Sequence, residues 1–550
     1  QEKKVFKNRI TGKDVEWFRI KCRNEKELFE QFVKYVNIIN PDYFSGWNSE
    51  FFDMPYIINR ARNINFDIAK ISPFNSCFVP PPMQSLATGK MEEKIPKIKG
   101  RGIFDLRIPY KKMNTAELQS YALNRVGEAE LGVKKLEYNG NLYNLYREDL
   151  EKFLLYNMAD VELVNEINKK VKVVEYFFGL CKFIGCPLGD TMSNSRMGDM
   201  YSLRYNKNKR NVALPTKTPT APETFEGAIV LDPVKGLHKN IIVLDLSKIY
   251  PTIIISGNFS PETVVNEIDV PKYGKENLIC VGNGMYFRKD IVGFSSEVLK
   301  ELFKIEDEKK KEIKESVERY GYGSSEHKRA NTNRQFVKDL RNSFYGLLSF
   351  KGFRLYVPNV GASVTYIGRK TILFCKEEIE KLGYSVHYGD TDSIFVQGKG
   401  KSIQENVKEG EMLMNHINKE FDNFAKGFNI DNHTFSIDFE KIYESMVLLS
   451  KKRYDAYICY TDGKEAHYRD TKGIESKRSD NPLVTKKYIL DVLDMIHQGK
   501  NKSEIELFTI NVVKEMLNKS IEEIAVPKAL HKGINNYKAD FAHVRGAKYA

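Results

Sequence analysis

The 550-residue sequence has no apolar run close to the ~20 residues that a membrane-spanning helix requires. Its seven cysteines are scattered and form no Cys-x-x-Cys pair, so neither a disulfide framework nor a zinc ribbon is indicated. No internal repeat, long low-complexity tract or signal peptide is visible. These absences predict a soluble protein of a reducing compartment: the cytoplasm, or the host-cell cytoplasm if the chain is viral.

Charge, in contrast, is abundant. Lysine and arginine number 86 against 73 aspartates and glutamates, which gives a net charge of +13. This balance favours a polyanionic partner or an anionic membrane surface, although a basic and unspecialised surface explains it equally well. With 41% hydrophobic residues the chain can build large cores, and its length predicts three or four domains.

Local patterns suggest how the chain is organised. Residues 25–39 have helical periodicity, and Pro41 ends the predicted helix. Residues 72–102, with three consecutive prolines, predict an exposed excursion, and the polar stretch 206–222 is the first credible domain boundary. Residues 297–319 and a segment from about Asn331 predict an antiparallel helical hairpin.

Three aspartates occupy the ends of predicted strands. The apolar run Ile241–Leu244 ends at Asp245, and Asp390 and Asp392 lie in a turn between two β-type runs. A carboxylate at the end of a buried strand is costly unless it is paired, hydrogen-bonded or bound to metal. Nucleotidyl transfer uses such carboxylates to hold two Mg²⁺ ions roughly 4 Å apart. For an Asp-x-Asp turn alone, an ordinary Asx turn is the commoner explanation.

Three segments in a fixed order decide between these explanations. Asp245–Ile254, Lys338–Gly346 and Tyr388–Ser393 follow the order of the polymerase motifs, and the chain resembles family B DNA polymerases from about Asp42 to its end. Residues 258–263, Asn-Phe-Ser-Pro-Glu-Thr, resemble the tailed-phage type. The resemblance implies a multidomain α/β and α+β fold with these parts: a partial ribonuclease-H-like 3′–5′ exonuclease domain (1–175), a connecting helical segment (176–224), a palm (225–292 and 347–478), helical fingers (293–346) and a truncated thumb (479–550).

The resemblance also implies roles for individual residues. Asp245 and Asp392 would hold two Mg²⁺ ions, and Asp390 would be an electrostatic or structural neighbour. Tyr250 would lie under the sugar of the incoming nucleotide and leave no room for a 2′-hydroxyl. The other implied nucleotide-binding residues are Lys338, Asn342 and Tyr345, which share a helix face, together with Lys310, Leu246 and Ser247.

Two positions depart from the family pattern. Lys248 stands where the family usually has serine, and its positive charge beside the metal site is unexpected. Glu306 stands where the family commonly has an arginine that grips the triphosphate together with Lys310. We expect Glu306 to pair with Lys310 along the helix, and Arg334 on the facing helix to supply the missing guanidinium. On this hypothesis, Glu306→Arg strengthens nucleotide binding.

Two further segments resemble DNA-handling parts of the family. The segment Lys451–Tyr454 resembles the basic motif that follows the minor groove of the primer–template, where phosphate contacts position DNA without reading its sequence. Residues 225–228 resemble the element between exonuclease and palm. Residues 472–475 and the pair Arg478 and Asp480 then follow in the family's order. The implied DNA-binding residues are Lys451, Lys452, Arg453, Tyr454, Phe225 and Gly227.

The exonuclease site is expected to be incomplete. Asn48, Asp53, Tyr156 and Asp160 match the second and third motifs of the DEDDy-type proofreading site, in which four carboxylates hold two metals. The first motif, an apolar strand ending in Asp-x-Glu, is missing, and the segment Asp14–Glu16 is interpreted as a surface turn. We therefore expect an inactive exonuclease in a chain that begins after this motif and ends within the thumb.

The implied function is template-directed DNA synthesis from deoxynucleoside triphosphates (dNTPs) in DNA replication. The implied partners are primer–template DNA, dNTPs and a sliding clamp reached through a C-terminal segment absent here, with no membrane partner. The main alternative is a catalytically silent DNA-binding protein derived from a polymerase. Intact Asp245, Asp392 and Lys338 argue against such decay. A nuclease with a vestigial polymerase fits less well, because the nuclease half is the incomplete one.

Overall fold

The computed structural model describes residues 2–84, 91–92, 94–113, 118, 120–138, 141–217, 224–246, 248–477, 481–516, 518–526 and 544–546. The chain divides into two compact units. The first comprises Gln1–Ala213 and Lys309–Phe336, and the second Leu214–Glu308 and Val337–Ala550. Among the described helices, none combines the length and the apolar character needed to cross a bilayer.

The first unit mixes helices with short strands. Its strands are β1 (Glu2–Lys7), β2 (Asp14–Arg19), β3 (Tyr43–Gly46), β4 (Cys77–Phe78), β5 (Met83–Gln84), β6 (Met91–Glu92), β7 (Lys97–Ile98) and β8 (Gly102–Asp105). Its helices are α1 (Glu25–Ile39), α2 (Asp53–Asn63), α3 (Arg107–Met113), α4 (Leu123–Leu131), α5 (Leu142–Glu148), α6 (Leu150–Val171), α7 (Val173–Ile184) and α8 (Asn194–Tyr205).

A buried cluster of the first unit is formed largely by α1 and α2, and Ile68, Ile71, Ile98 and Ile103 complete it. In α1 the buried residues Phe29, Val33 and Val36 recur at helical spacing, so one face of the helix is apolar. Strands β3 and β8 pair in parallel, with Gly46 opposite Asp105. Because parallel strands end at the same edge, the residues that follow β3 meet the carboxylate at the end of β8.

The strands of the second unit are 2 to 13 residues long. They are β9 (Gly236–Asp245), β10 (Val264–Val265), β11 (Leu278–Cys280), β12 (Tyr286–Arg288), β13 (Val386–Asp390), β14 (Ser393–Gln397), β15 (Asp438–Ser450), β16 (Arg453–Thr461) and β17 (Lys464–Lys472). The remaining helices are α9 (Ile249–Ser256), α10 (Val270–Tyr273), α11 (Phe294–Tyr320), α12 (Ser325–Leu348), α13 (Pro358–Lys381), α14 (Ile403–Lys426), α15 (Leu483–His497), α16 (Lys502–Met516) and α17 (Ile521–Ile524). Of these, α11 and α12 extend into the first unit.

Six antiparallel strands form the main sheet of the second unit, in the order β13-β14-β9-β15-β16-β17. Ile241 and Val243 of β9 belong to a buried cluster on one face, together with Phe395 and Tyr443. Side chains alternate along a strand, so Asp245 projects from this same face. Helix α14 packs against β9 and β15, and α13 packs against α9 and α14.

The structure confirms several elements predicted from the sequence. Helix α1 spans residues 25–39, β9 ends at Asp245, and β13 and β14 flank a turn that contains Asp392. The helical hairpin also forms as α11 and α12, but α12 begins at Ser325 and not near Asn331.

Two other predictions are wrong. The segment Asp14–Glu16 is not a turn but the start of β2, which pairs with β1 along its whole length. Exposed and half-buried residues alternate there, as expected for a strand with one covered face. The stretch 72–102 is not a wholly exposed excursion, because Ile98 pairs with Cys77 and is buried in the core of the first unit.

Candidate active site

Two aspartates lie side by side at the end of the main sheet. Asp245 is the last residue of β9 and is paired in register with Ser393, the first residue of β14. The Ser393 hydroxyl lies 3.1 Å from Asp245 Oδ2 and 3.5 Å from Asp392 Oδ1, within hydrogen-bond distance of both. The backbone N–H of Leu246 donates to the carbonyl oxygen of Asp392 at 2.6 Å. Both contacts hold the two carboxylates together, although they are far apart in sequence.

The third aspartate has a different environment. Thr391, between Asp390 and Asp392, has a φ of +60°, a strained conformation for a β-branched residue. The Asp390 carboxylate lies 3.1 Å from Lys452 Nζ and accepts a hydrogen bond from the Tyr388 hydroxyl at 3.4 Å. Asp390 is therefore neutralised by a cation of the protein, which suits a supporting position better than a metal ligand.

The electrostatics of the pair favour a bound cation. Burial, followed by the negative charges of Asp245 and Asp390, raises the pKa of Asp392 to about 6. Carboxylate oxygens are hard donors, and Mg²⁺ is held in such sites by one or two carboxylates together with substrate phosphates. The described residues include no group of three or more His, Cys, Asp or Glu side chains arranged to hold a metal. The paired carboxylates of Asp245 and Asp392 therefore fit a divalent cation such as Mg²⁺.

An aromatic stack lies beside the carboxylates. The rings of Tyr250, in the first turn of α9, and Tyr345, on α12, are stacked with centroids 4.3 Å apart and planes 20° apart. Burial, with smaller contributions from Tyr345 and Asp392, raises the pKa of Tyr250 to about 12. Asn342 is exposed on α12 and Lys338 is half-buried. The predicted nucleotide-binding residues of α12 thus share a helix face with one ring of the stack.

The structure contradicts the part of the hypothesis that places Glu306 at a solvated phosphate site. Glu306 on α11 and Arg341 on α12 are 1% and 2% exposed and form an ion pair. The guanidinium of Arg341 also donates to Asn342 Oδ1 at 3.0 Å and lies 5.0 Å from the ring centroid of Phe303. A carboxylate buried against a guanidinium does not face a solvated triphosphate. An arginine at position 306 would therefore meet Arg341 and not a phosphate.

The other departure from the family pattern, Lys248, packs against the same aromatic ring. Its Nζ lies 5.1 Å from the ring centroid of Phe303, and its φ of +66° places it in the left-handed region just before α9. Lys310 lies one helical turn beyond Glu306 on α11, and Arg334 lies on α12. Because Glu306 is buried, the suggestion that Arg334 compensates for a missing phosphate contact at position 306 loses its basis.

Sequence reasoning missed two residues near this site. Asp438, the first residue of β15, is paired in register with Asp245, so its carboxylate lies on the same face of the sheet. Arg341 is the buried partner of Glu306. Asp438 is followed by a β-type run, which is the sequence signal for the strand that it begins. Local sequence pattern does not reveal that this strand pairs with β9.

The four residues of the basic motif have different surroundings. Lys451 and Lys452 are exposed in the turn between β15 and β16, Arg453 pairs with Glu475, and Tyr454 is buried in the sheet core. Lys451 is paired with Asp232 and Lys452 with Asp390, so both exposed ammonium groups have an anionic partner. Three residues singled out from the sequence lie outside the described residues: Ser247, Arg478 and Asp480.

The segment around Phe225 packs on α13. Arg369 donates to the carbonyl oxygens of Glu226 and Gly227 at 2.8 Å each. Gly361 leaves room for the Phe225 ring, since a Cβ there would lie 2.8 Å from it. The predicted DNA-binding residues Phe225 and Gly227 are therefore held by helix α13.

The predicted exonuclease residues gather at a cleft of about 740 Å³ in the first unit. Asn48, Asp53 and Asp160 line it together with Lys135. Lys135 Nζ lies 2.5 Å from Asp160 Oδ2 and 3.1 Å from the Tyr156 hydroxyl. Burial raises the pKa of Asp53. The structure thus brings together all four residues of the second and third motifs.

Two further carboxylates, which sequence reasoning missed, are buried near this cleft. Asp105 accepts hydrogen bonds from the backbone N–H groups of Ser49 and Arg107. Burial raises the pKa of Glu50 to about 7. By contrast, Asp14 is exposed on β2 and does not line the cleft.

Comparison with known sequences decides the family. The profile of DNA polymerase family B matches residues 195–548. The chain belongs to the family B DNA polymerases. The profile of the family B exonuclease domain matches residues 1–126, so an exonuclease domain precedes the polymerase domain. The aspartates, the tyrosine stack and the basic motif all lie within the polymerase match.

Relatives of the chain include eukaryotic and archaeal DNA polymerases. The DNA polymerase delta catalytic subunit of Schizosaccharomyces pombe is 28% identical, over 98% of this chain and 50% of that protein. The DNA polymerases of Archaeoglobus fulgidus and Pyrococcus glycovorans are also 28% identical, over 95% and 96% of this chain and 62% and 64% of those proteins. The chain thus spans between half and two thirds of the length of these three relatives. They do not support the expected tailed-phage type.

Proposed function

We propose that the chain catalyses template-directed addition of deoxynucleotides to a primer 3′-hydroxyl in DNA replication. The observation that carries the proposal is the pairing of Asp245 and Asp392 around Ser393, beside the stacked rings of Tyr250 and Tyr345. Membership of the family supports it, and the relatives named above are DNA polymerases.

The proposal includes a division into domains. The sheet with the two aspartates, residues 225–292 and 347–478, is the palm, and the helical hairpin of residues 293–346 forms the fingers. Residues 479–550 are assigned to the thumb. Residues 1–175 form a ribonuclease-H-like exonuclease domain, and residues 176–224 connect it to the palm.

In this proposal Asp245 and Asp392 hold two Mg²⁺ ions through their carboxylate oxygens. When bound, such ions activate the primer 3′-hydroxyl and neutralise charge on the triphosphate. Repulsion between the two carboxylates contributes to the raised pKa of Asp392. The same repulsion favours the binding of a cation between them. Asp390 acts through its ion pair with Lys452 and not as a ligand.

Nucleotide selection is assigned to the tyrosine stack and the neighbouring cations. Tyr250, held against Tyr345, lies under the sugar and excludes a 2′-hydroxyl by its bulk. Lys338 and Lys310 neutralise the triphosphate, and Asn342 lies on the same helix face as Lys338. The N–H of Leu246 is already donated to Asp392. Any contact of residues 246–247 with the nucleotide must therefore use other atoms.

The proposed partners are primer–template DNA, dNTPs and a sliding clamp. Lys451, paired with Asp232, and Lys452, paired with Asp390, carry exposed ammonium groups whose remaining N–H donors suit phosphate contacts that are independent of DNA sequence. Phe225 and Gly227, which pack on α13, are the other proposed DNA contacts.

The exonuclease domain is proposed to be inactive in the 550-residue chain. Asp53, Asp160 and Tyr156 supply part of a two-metal site, and Lys135 is paired with Asp160. The sequence before Asp53 contains no apolar strand that ends in Asp-x-Glu. Without those two carboxylates the site has only part of the four-carboxylate set that a DEDDy-type site uses for its two metals, so hydrolysis should be slow.

Primer extension tests the proposed function. The protein is incubated with a 5′-labelled primer–template, Mg²⁺ and one dNTP at a time, with a template-free control. We expect extension only by the nucleotide complementary to the template. Tight binding of the primer–template without extension at saturating Mg²⁺ and dNTP would favour the alternative, a catalytically silent DNA-binding protein.

A further inference from the structure

A buried polar cluster joins the end of helix α15 to the main sheet. Asp455 on β16 is 0% exposed, and its carboxylate accepts hydrogen bonds from Arg469 Nε at 2.9 and 3.0 Å and from the Thr471 hydroxyl. It also accepts from Nε2 of His497, the last residue of α15, at 3.0 Å. The other ring nitrogen of His497 lies 2.7 Å from the Ser445 hydroxyl on β15. These five residues, the Asp455 cluster, link three strands to one helix.

A second set of contacts joins the same helix to the same sheet. Arg469 Nη1 lies 2.8 Å from Asp494 Oδ1 of α15, and Arg469 Nη2 donates to the carbonyl oxygen of Leu490 at 3.3 Å. The Tyr457 hydroxyl donates to Asp494 at 2.7 Å. Beside these polar contacts runs an apolar seam whose buried residues are Val447, Ile474 and Leu493.

The arrangement resembles a Ser-His-Asp hydrolytic triad only superficially. In such a triad the aspartate charge stabilises an imidazolium. Here Arg469 already neutralises Asp455 through two nitrogens. Ser445, at 8% exposed, is too buried to attack a substrate. The cluster is therefore structural.

Apolar and polar contacts constrain the helix in different ways. An apolar seam is non-directional and tolerates small shifts of a helix over a sheet. A carboxylate with fixed donors tolerates little movement, and a buried ionic cluster adds little net stability while losing one member disrupts it. Burial alone raises the pKa of Asp455, but the hydrogen bonds from His497, Arg469 and Thr471 outweigh it and hold that pKa below its usual value. The cluster is thus suited to fix the position of α15.

We infer that Asp455 is a positioning residue for α15 and, through it, for the primer–template duplex. The inference rests on the proposed function, in which α15 begins the thumb. Removing the Asp455 charge lets α15 shift on the sheet. Asp245 and Asp392 are held separately by Ser393 and the strands β9 and β14. Loss of the Asp455 charge is therefore expected to weaken DNA binding and to leave the rate of the chemical step unchanged.

The experiment compares Asp455→Asn and the milder Ser445→Ala with Leu413→Ala. Leu413 is a buried residue of α14 outside the cluster, so its variant controls for general destabilisation. Fluorescence anisotropy gives the Kd for a labelled primer–template, and single-nucleotide extension at saturating DNA gives kcat. Hydrogen exchange of residues 483–497 reports on α15. We expect Asp455→Asn to raise Kd on the order of tenfold, to leave kcat within about twofold, and to speed exchange in α15. Ser445→Ala should act in the same direction and less strongly.

Three outcomes would overturn the inference. One is an unchanged Kd in Asp455→Asn despite faster exchange in α15. Another is an equal rise in Kd with Leu413→Ala, which would reduce the effect to general instability. The third is unchanged exchange in α15, because the cluster would then not anchor the helix. If the unaltered protein binds no primer–template, the proposed function fails, and hydrogen exchange alone then decides whether Asp455 anchors α15.

Discussion

Replacing Glu306 by glutamine leaves the buried guanidinium of Arg341 without its carboxylate. Both side chains are almost fully buried, and the guanidinium of Arg341 also donates a hydrogen bond to Asn342 Oδ1. Breaking a buried ion pair by removing one partner costs about 3–5 kcal/mol, whereas replacing both partners by apolar residues of similar size is close to neutral. We therefore expect Glu306→Gln to destabilise the α11–α12 hairpin strongly, and Glu306→Met with Arg341→Met to restore most of the loss.

Hydrogen exchange followed by mass spectrometry measures this locally. In peptides covering residues 337–348, a loss of about 3–5 kcal/mol corresponds to exchange faster by roughly two to four orders of magnitude. The control is Glu312→Gln, which removes a carboxylate from an exposed pair with Lys309 on the same helix. That change should cost less than about 1 kcal/mol.

The reasoning would be refuted if Glu306→Gln exchanged like Glu312→Gln, because the carboxylate at position 306 would then be solvated. Glu306→Arg provides a second check. Two buried guanidinium groups repel each other, so this variant should be less stable than Glu306→Gln. Higher nucleotide affinity in a stable Glu306→Arg protein would revive the phosphate-binding hypothesis.

Three further predictions follow from the same structure. Tyr250→Ala should admit ribonucleotides with little loss for deoxynucleotides, and unchanged discrimination in competition assays would place the sugar gate elsewhere. The 550-residue chain should digest single-stranded DNA no faster than its Asp53→Ala variant; rapid digestion that this variant abolishes would contradict an inactive exonuclease. Glu50→Gln should stabilise the first unit by up to about 3 kcal/mol at pH 8 and have little effect near pH 4.5. The folded-state pKa of Glu50 is raised from 4.5 to about 7, so the natural protein loses stability as pH rises through this window. Denaturation followed by Trp17 and Trp47 fluorescence tests this, and a pH-independent effect would refute it.

The aspartates proposed to form the active site could be located from the sequence because local patterns mark them. Asp245 ends an apolar run, and Asp390 and Asp392 occupy a turn between two β-type runs, so both strand ends were predictable. Their mutual placement was not. It depends on the pairing of β9 with β14, which sets Ser393 opposite Asp245. That pairing is a long-range contact and leaves no local signal.

Sequence reasoning failed mainly for ion pairs and hydrogen bonds between residues on different helices or strands. Helical spacing suggested Lys310 for Glu306, since residues four apart face each other on one helix. In the structure Glu306 forms an ion pair with Arg341 on the opposite helix of the hairpin. Which residue of α12 lies next to Glu306 depends on how the two helices pack. Asp455 is a similar case, because its donors come from a neighbouring strand and from α15.

A short motif can also be misinterpreted when the strand that carries it is not recognised. The segment Asp14–Glu16 carries the letters of a metal-binding motif, and its interpretation as a surface turn is wrong because it begins the strand β2. The alternation of Val15 and Trp17 with exposed residues is the strand signal, and it covers too few residues to stand out.

The most direct test of the central claim is single-nucleotide extension by Asp392→Asn, with DNA affinity measured on the same preparation. We predict a loss of extension in Mg²⁺ on the order of 10³-fold or more, because a metal ligand is removed. The Kd for primer–template should stay similar or fall, because one repulsive negative charge is lost. Asp431→Asn removes the same charge from an exposed pair with Lys289 and should keep full activity. Substantial extension by Asp392→Asn in Mg²⁺ would contradict the assignment of Asp245 and Asp392 as the metal-binding pair.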